Sequence, residues 1–444
     1  MLSQADADLV RRDPEIPALR LLLDPEAFAE ALRRAAPDVE IEHAEATYVK
    51  YKRGMNCLVA YRVEIAGRPV LVHAKAWGAD AAIKLGNVRR KPGIPGALLR
   101  GRLVLEDRGS AAIAFPMDVK VRGLAGLAEP PERARLLGEL FPERPELVNA
   151  SVRVLAYKPE RRYVVRLGAG EGEGEGRRAV VLKLYTEAGY DAAGRAQPAP
   201  PLGRSDRYRA LGFAWVSGRL LSDALAAREV GPADVGAVGA ALVRVHQRDA
   251  RPLPSLPLEG QIARLFAEAE TIATLVPGLR TWVHRLAGRL ASRLKTTVAP
   301  PCAIHGDFHP RQVLMANGGV TFIDFDQGVR ADPLIDLGVF AASLERSAIR
   351  GTIAPDSVEP LGDAVLAGYV GVGGRATPER LRLPERLRLQ TAVELLRLAP
   401  RFFRYREPDW PERIAAALRR VETLACGLPG RGRVGAVKRL VLAT

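Results

Sequence analysis

Two stretches of the chain share one pattern, and this internal repeat limits the folds that the chain can adopt. Residues 47–63 and 152–167 each hold a run of β-forming residues, a Tyr-Lys pair, a short turn and a second β-forming run. A third run follows each copy and carries a lysine, Lys75 in the first copy and Lys183 in the second. The Tyr-Lys lysine precedes that later lysine by 23 residues in the first copy and by 25 in the second. The matched lysines favour two copies of a three-stranded antiparallel unit over two unrelated hairpins.

The glycine-rich segment 168–178, GAGEGEGEGRR, lies inside the second copy. A phosphate-binding glycine loop stands between a strand and a helix, whereas this segment connects two strand-like runs. Its glutamates would also repel phosphate. The segment is therefore interpreted as a flexible hairpin connection.

Helical periodicity begins after Gly218, where the β-rich character of the chain ends. Between the helical blocks, residues 302–328 read as strand, loop and hairpin, with Asn317-Gly318 as a strong turn signal. Apolar residues recur at helical spacing in five segments: 232–247, 258–295, 360–372, 379–402 and 411–427.

Composition and charge exclude several classes of protein. Of the 444 residues, 48% are hydrophobic, and no apolar run approaches the roughly eighteen residues of a membrane-spanning helix. The three cysteines are far apart and the N-terminal residues lack a secretory pattern, so we expect a cytoplasmic protein without disulfides. The net charge of +15 is spread along the chain, with no dense Lys/Arg tract. We therefore expect anionic small molecules such as nucleotides as ligands, and neither a membrane nor a specific nucleic acid as a partner.

The stretch HGDFHPRQ (305–312) allows two interpretations. His305 and His309 have the spacing of a helical zinc site, but Gly306 and Pro310 disfavour a helix there. The alternative is a catalytic loop in which the histidines brace the backbone and other side chains carry the chemistry. The absence of a glutamate after the first histidine favours the catalytic loop.

The spacing of the polar residues is typical of phosphoryl-transfer enzymes. His305-x-Asp307-x4-Gln312 corresponds to a catalytic H-x-D-x4-N loop with glutamine for asparagine, and Asp324 follows Asp307 by 17 residues in the run IDFD. A carboxylate such as Asp307 can accept the proton of an attacking hydroxyl. Gln312 and Asp324 offer the hard oxygen atoms that Mg²⁺ prefers.

Residues 305–344 resemble the aminoglycoside phosphotransferase/choline kinase-like family of the protein kinase-like superfamily. The motif HGDxHxxQVL followed by IDFD is most similar to maltokinase-like bacterial small-molecule kinases. The resemblance implies an α+β, protein kinase-like two-lobed fold with an extra N-terminal N-lobe-like cap unit. It also implies ATP and Mg²⁺ as cofactors and a small-molecule hydroxyl as the acceptor of the phosphoryl group.

The same resemblance assigns roles to individual residues. Asp307 corresponds to the catalytic base, Gln312 and Asp324 to the metal ligands, and Lys183 to the lysine that contacts the nucleotide phosphates. Asp336 corresponds to an aspartate that supports the catalytic loop, and Asp326 is either a neighbour of the metal or a solvated turn residue.

The chain departs from the family pattern in its nucleotide-binding half. No phosphate-binding GxGxxG loop is present; the basic turn 158–162 stands in its place, with Lys158 and Arg162 as candidate phosphate contacts. Only Glu187 lies near enough in sequence to pair with Lys183. The first repeat has no catalytic loop of its own, so it is interpreted as a degenerate copy that serves as a cap, and Lys75→Ala is expected to leave nucleotide affinity unchanged.

These observations predict an ATP-dependent kinase that phosphorylates a hydroxyl of a small metabolite, with a sugar or an amino sugar as the candidate acceptor. A nucleotide-binding regulator without turnover remains an alternative, because of Gln312 and the missing glutamate. A nucleic-acid-binding protein is favoured only by the charge. The predicted domains are a helical segment (1–35), the cap unit (36–145), the kinase N-lobe (146–216) and a helical C-lobe with the catalytic hairpin (217–444).

Overall fold

The structure is a computed structural model. It describes residues 2–90, 101–105, 109–168, 179–296, 299–316, 319–373 and 383–426. Contacts within the chain divide it into two compact units. The sheet unit comprises the chain up to Arg219 together with Asp324–Gly328 and Arg401–Pro411. The helical unit comprises Leu220–Ile323, Val329–Pro400 and the chain from Glu412 on.

The strands, in chain order, are β1 (Ile41–Lys52), β2 (Asn56–Ile65), β3 (Arg68–Trp77), β4 (Arg102–Leu105), β5 (Ser110–Ala114), β6 (Val152–Lys158), β7 (Arg162–Leu167), β8 (Val180–Tyr185), β9 (Gly203–Ser205), β10 (Ala210–Ala214), β11 (Arg219–Leu220), β12 (Cys302–Ile304), β13 (Val313–Ala316), β14 (Gly319–Phe322) and β15 (Val329–Ala331).

The helices, in chain order, are α1 (Gln4–Arg11), α2 (Leu19–Leu23), α3 (Pro25–Ala35), α4 (Ala81–Arg89), α5 (Gly123–Ala128), α6 (Pro130–Leu140), α7 (Glu187–Ala196), α8 (Leu221–Ala226), α9 (Pro232–His246), α10 (Leu258–Leu275), α11 (Arg280–Leu294), α12 (Leu334–Ile349), α13 (Val358–Gly371), α14 (Leu383–Leu398), α15 (Arg401–Arg404) and α16 (Trp410–Cys426).

The sheet unit contains two antiparallel five-stranded sheets with the same strand order. The first sheet has the order β1-β2-β3-β5-β4 and the second has the order β6-β7-β8-β10-β9. Lys75 lies on the third strand of the first sheet and Lys183 on the third strand of the second. The three strands predicted for each copy are therefore present. Each sheet has two further strands, of which β10 lies in the β-like run predicted to end at Gly218.

Each sheet buries one face against short helices. On the first sheet, Phe28 of α3 stacks on Tyr61 of β2 with ring centroids 3.8 Å apart. On the second sheet, α6 and Phe141 cover Val165 and Leu182. This approach is close, because a Cβ at Gly203 of β9 would lie 1.8 Å from the Leu140 carbonyl oxygen. Glycine at this position lets the end of α6 contact the sheet directly.

The helical unit is built around α9, α12, α13 and α14, whose inward residues are largely buried. Helices α9 and α13 approach closely at Gly239, where a Cβ would lie 2.0 Å from the Val365 carbonyl oxygen. The predicted helical block 258–295 is two helices, since Pro277 lies in a 3₁₀ turn between α10 and α11. Within the described ranges, no helix is both long enough and apolar enough to cross a membrane.

The hairpin predicted within 302–328 is present as β13 and β14, which pair from Val313–Phe322 to Ala316–Gly319. Its turn residues Asn317 and Gly318, and the glycine-rich segment from residue 169 to residue 178, lie outside the described residues. The predicted domain boundaries stay predictions.

Candidate active site

The loop after β12 is held by one buried carboxylate. Gly306 has φ of 81°, a backbone conformation that glycine adopts without strain. The chain turns there so that two successive amides meet Asp336 at the start of α12. The His305 amide donates to Asp336 Oδ2 at 2.7 Å and the Gly306 amide donates to Oδ1 at 2.9 Å. Both oxygens of a fully buried aspartate are thus used to fix the loop, the role that the family resemblance implied for Asp336.

A second set of buried contacts fixes Asp336 in turn. His246 Nε2 lies 3.0 Å from Asp336 Oδ2, and His246 Nδ1 lies 2.8 Å from the Tyr369 hydroxyl oxygen. The pattern is satisfied when Nε2 carries the proton and the Tyr369 hydroxyl donates to Nδ1. This chain of hydrogen bonds connects α9 and α13 to the loop.

The side chains of His305 and Phe308 also brace the loop. His305 Nε2 lies 2.9 Å from the carbonyl oxygen of Ile323. Phe308 is buried between Phe322 and Phe340, with ring centroids 5.0 and 5.4 Å away. Both contacts support a bracing role for this part of the motif.

Asp307 is the accessible carboxylate of the loop. Its side chain is 29% exposed, and its Oδ2 lies 3.7 Å from His309 Nε2. Gln312 ends the 3₁₀ turn Pro310–Gln312, and its backbone N–H donates to the His309 backbone carbonyl at 2.8 Å. The backbone carbonyl of Gln312 accepts from the backbone N–H of Ile323 at 3.0 Å. Asp307 and Gln312 therefore share one short, well-tied loop in the helical unit.

Charged side chains from α10 and α14 lie near Asp307. Arg397 Nη1 donates to Glu394 at 2.5 Å, and Gln390 Nε2 donates to the same carboxylate at 3.0 Å. Glu394 is the main cause that raises the pKa of Arg397, with burial opposing it and Glu268 and Asp307 adding to it. Asp307 thus faces a polar environment of both signs of charge.

Asp324 lies at the centre of a cluster of ion pairs in the sheet unit. Lys183 Nζ is 2.7 Å from its Oδ1, and Arg162 contacts Oδ1 at 2.9 Å and Oδ2 at 2.7 Å. The same two cations contact Asp326, Lys183 at 3.0 Å and Arg162 at 2.7 Å. Tyr185 donates to Asp326 at 3.1 Å. We call Arg162, Lys183, Tyr185, Asp324 and Asp326 the Asp324 cluster.

The electrostatics of the cluster favour charged carboxylates. Burial opposes ionisation of Asp324, but the charges of Lys183 and Arg162 hold its pKa well below the ordinary value of 3.8. Burial together with Asp326 and Asp324 raises the pKa of Tyr185, which keeps its hydroxyl protonated as a donor. Asp324 also adopts a left-handed backbone conformation, with φ of 63°. Strain of this kind is common at functional sites.

The cluster offers oxygen atoms of the type that Mg²⁺ prefers. The carboxylates of Asp324 and Asp326 are hard oxygen ligands on one short segment, and Lys183 and Arg162 balance their charge. Lys158 lies directly opposite Arg162 in the β6–β7 hairpin. Of the residues predicted from the sequence, the structure brings Arg162, Lys183 and Asp324 together in the sheet unit. Asp307 and Gln312 belong to the helical unit.

Sequence reasoning missed parts of this cluster. Glu187, the only glutamate considered for Lys183, pairs with Arg209 at 2.9 Å, while Lys183 pairs with Asp324 and Asp326. Asp326 is buried and therefore not a solvated turn residue. Tyr185 follows Lys183 by two residues on one strand. Alternation along a strand places such residues on one face, a signal that could have identified Tyr185.

Comparison with known proteins gives one family match. A protein-family model described as "Phosphotransferase enzyme family" matches residues 149–384, which is more than half of the chain. No curated protein matches the chain in sequence.

Several solved structures are similar. A choline/ethanolamine kinase family protein from Mesorhizobium loti is 16% identical, with a TM-score of 0.45, over 67% of this chain and 95% of that one. A mutant aminoglycoside 2′-phosphotransferase-IIIa in its GDP complex is 16% identical, with a TM-score of 0.46, over 67% of this chain and 99% of that one. Amicoumacin kinase in complex with AMP-PNP and Ca²⁺ is 16% identical, with a TM-score of 0.45, over 66% of this chain and 92% of that one.

Proposed function

Because the chain belongs to the phosphotransferase enzyme family, and is therefore an ATP-dependent phosphotransferase that acts on a hydroxyl group, we propose that it phosphorylates a sugar or an amino sugar with Mg²⁺ as its metal. The family and the α+β, protein kinase-like fold predicted from the sequence are confirmed. The acceptor, the metal and the roles of the site residues are the proposal.

One observation carries the assignment of roles. The 2.7 Å ion pair between Lys183 Nζ and Asp324 Oδ1 joins two residues from distant segments of the chain to which the family resemblance assigned neighbouring roles. A phosphate-binding lysine and a metal-binding carboxylate must lie side by side, because both act on the same phosphoryl groups.

Each site residue then has a chemical role. Asp324 and Asp326 would hold the metal, and the motif spacing supports the side-chain oxygen of Gln312 as a further ligand. Lys183 would bind the nucleotide phosphates, with Arg162 and Lys158 of the neighbouring hairpin as further cations. Bound Mg²⁺ supplies neutralisation of phosphate charge. Asp307 would orient the acceptor hydroxyl and accept its proton.

The environment of Asp307 supports a polar acceptor with hydroxyl or amino groups. Glu394 and Arg397 form a 2.5 Å hydrogen bond, and Glu268 and Asp307 both act on the charge of Arg397. Carboxylate and guanidinium groups of this kind hydrogen-bond to hydroxyl and amino groups. Because both signs of charge are present, the surroundings favour a neutral or amino-bearing sugar over a polycation.

A panel of acceptors tests the proposal. Sugars, amino sugars and amino alcohols are each incubated with the full-length chain and Mg²⁺–ATP, and phosphorylated product is measured by mass spectrometry. The control reaction lacks an acceptor and measures hydrolysis alone. We expect phosphorylated sugar or amino sugar. Product from amino alcohols alone would contradict the acceptor class while leaving the kinase activity intact.

A further inference from the structure

The turn between β6 and β7 is held by residues of the first repeat. Glu160, in this turn, accepts from Lys75 Nζ at 2.9 Å and 2.7 Å, one contact on each carboxylate oxygen. Lys120 Nζ lies 2.9 Å from the same side chain. Glu160 has φ of 56°, which is uncommon for a residue other than glycine. The contacts thus stabilise a turn conformation that glutamate does not favour by itself.

The backbone of the turn is held as well. Asp118 accepts from the Glu160 amide at 2.6 Å and from the Tyr157 hydroxyl at 3.2 Å. The Tyr157 hydroxyl also lies 3.3 Å from His73 Nδ1. We call Lys75, Lys120, Asp118, Tyr157 and Glu160 the Glu160 clamp.

Lys75 is the principal cation of the clamp. Its side chain is 12% exposed and that of Glu160 is 14% exposed, whereas that of Lys120 is 54% exposed. Burial opposes the charged form of Glu160, but the hydrogen bond from Lys75 holds the pKa of Glu160 below its ordinary value of 4.5. Removing Lys75 leaves the largely buried Glu160 with only the exposed Lys120 as its cationic partner, so the loss of Lys75 should release the turn.

The clamp is joined to the Asp324 cluster by a very short piece of chain. Arg162 follows Glu160 by two residues and begins β7, where it pairs with Tyr185 of β8 in the strand register. Its guanidinium contacts Asp324 and Asp326. A shift of the turn would therefore move the backbone that carries Arg162.

We propose that Lys75 is a positioning residue for the nucleotide site of the second repeat: through Glu160 it holds the β6–β7 turn in the place from which Arg162 reaches the Asp324 cluster. The inference rests on the proposed function, in which this cluster binds the metal and the phosphates. Lys75 has the same strand position as Lys183 but faces a glutamate of the turn. This proposal predicts the opposite of the sequence-based expectation that Lys75→Ala leaves nucleotide affinity unchanged, and the experiment below decides between the two.

The test measures affinity for Mg²⁺–AMP-PNP by calorimetry on the full-length chain. Four proteins form a cycle: the wild type, Lys75→Met, Arg162→Gln and the double variant. Lys75→Met should weaken binding by about five- to tenfold in the wild-type background. In the Arg162→Gln background it should change the affinity by less than about twofold, because its effect passes through Arg162.

Two further variants separate positioning from general stability. Lys75→Arg keeps the charge and should stay within about twofold of the wild-type affinity. Lys84→Met removes a lysine from an exposed pair with Asp80 and should leave the affinity unchanged. Thermal unfolding of each variant confirms that the chain is folded under the conditions of the assay.

The outcomes are distinct. A wild-type affinity in folded Lys75→Met, or the same loss in both backgrounds, would overturn the positioning role while the proposed function stands. If Lys75→Met fails to fold, the Glu160→Gln variant replaces it in the cycle with the same expectation. Absence of nucleotide binding by the wild type would overturn the proposed function and this inference together.

Discussion

The two sheets of the sheet unit share one strand order but pair their lysines with different carboxylates. Each has a lysine on its third strand, Lys75 in the first sheet and Lys183 in the second. Lys183 faces Asp324 and Asp326, whereas Lys75 faces Glu160. The carboxylate opposite the lysine differs between the two sheets. We infer that this carboxylate decides whether the lysine binds a ligand or stabilises the protein.

The origin of these carboxylates differs too. Glu160 belongs to the hairpin turn of the second sheet, so its pair with Lys75 joins the two repeats. Asp324 follows β14 at the end of the motif segment, 141 residues along the chain from Lys183. Both sheets thus keep a lysine on the third strand, while only Lys183 pairs with the segment that we propose as the metal site.

The largest effect is expected outside both sheets, at Asp307. Asp307→Asn preserves the shape of the side chain but removes the proton acceptor, and it should slow phosphoryl transfer by about 10²–10⁴-fold. Nucleotide affinity should stay near that of the wild type. Single-turnover transfer to an identified acceptor is the measurement.

His309→Ala is the matched control for Asp307→Asn, since His309 lies beside Asp307 in the same loop. It should retain Mg²⁺-dependent turnover. Phosphoryl transfer at the wild-type rate by Asp307→Asn would contradict the role of Asp307 as the proton acceptor.

The next largest effects are expected when either of the two lysines is substituted. Lys183→Met removes a charged contact to phosphate and should weaken Mg²⁺–nucleotide binding by roughly ten- to a hundredfold. Lys75→Met should weaken it by less, because it acts only through the turn. Calorimetry on both variants measures which of the two lysines contributes more to nucleotide affinity. A greater loss for Lys75→Met would reverse the roles assigned to them.

Several residues of the candidate site could be identified from local sequence patterns and from the family resemblance. Short motifs identified Asp307, Gln312 and Asp324, and the family resemblance identified Lys183; the structure brings Lys183 and Asp324 together. The support of the loop by Asp336 was predicted from the family resemblance, and its hydrogen bonds are present. The roles of Asp307, Gln312, Lys183 and Asp324 stay predictions.

Other features could not be predicted because they depend on distant or weak signals. Strands β4 and β9 have four and three residues, too few to show alternation. The partner of Lys183 was sought among nearby glutamates, whereas its partners come from a remote segment. Lys75 and Glu160 are 85 residues apart, and no periodicity in the sequence relates them.

The smallest effect concerns pH. The pKa of Glu160 is below its ordinary value of 4.5 in the folded chain, so its contribution to stability is complete above about that pH and is lost as the pH falls through the lowered pKa. Lys75, Lys120 and Lys50 face it as cations, and Asp118 and His73 lie beside it.

The gap in unfolding free energy between the wild type and Glu160→Gln should therefore be largest near neutral pH and shrink below pH 4.5. Denaturant unfolding at several pH values measures it. Glu30→Gln, on an exposed helix face, is the control and should show a small gap throughout. A gap for Glu160→Gln that grows on acidification would contradict the ion pair.

The metal dependence of nucleotide binding tests most directly whether the facing carboxylate sets the role of each lysine. AMP-PNP affinity is measured by calorimetry with Mg²⁺ and with EDTA for the wild type, Asp324→Asn and Glu160→Gln. We expect Mg²⁺ to strengthen binding to the wild type and to Glu160→Gln by the same factor, and to strengthen binding to Asp324→Asn by a much smaller factor, because one of the proposed ligands is lost. Loss of the Mg²⁺ effect in Glu160→Gln, or an effect of wild-type size in Asp324→Asn, would contradict the account.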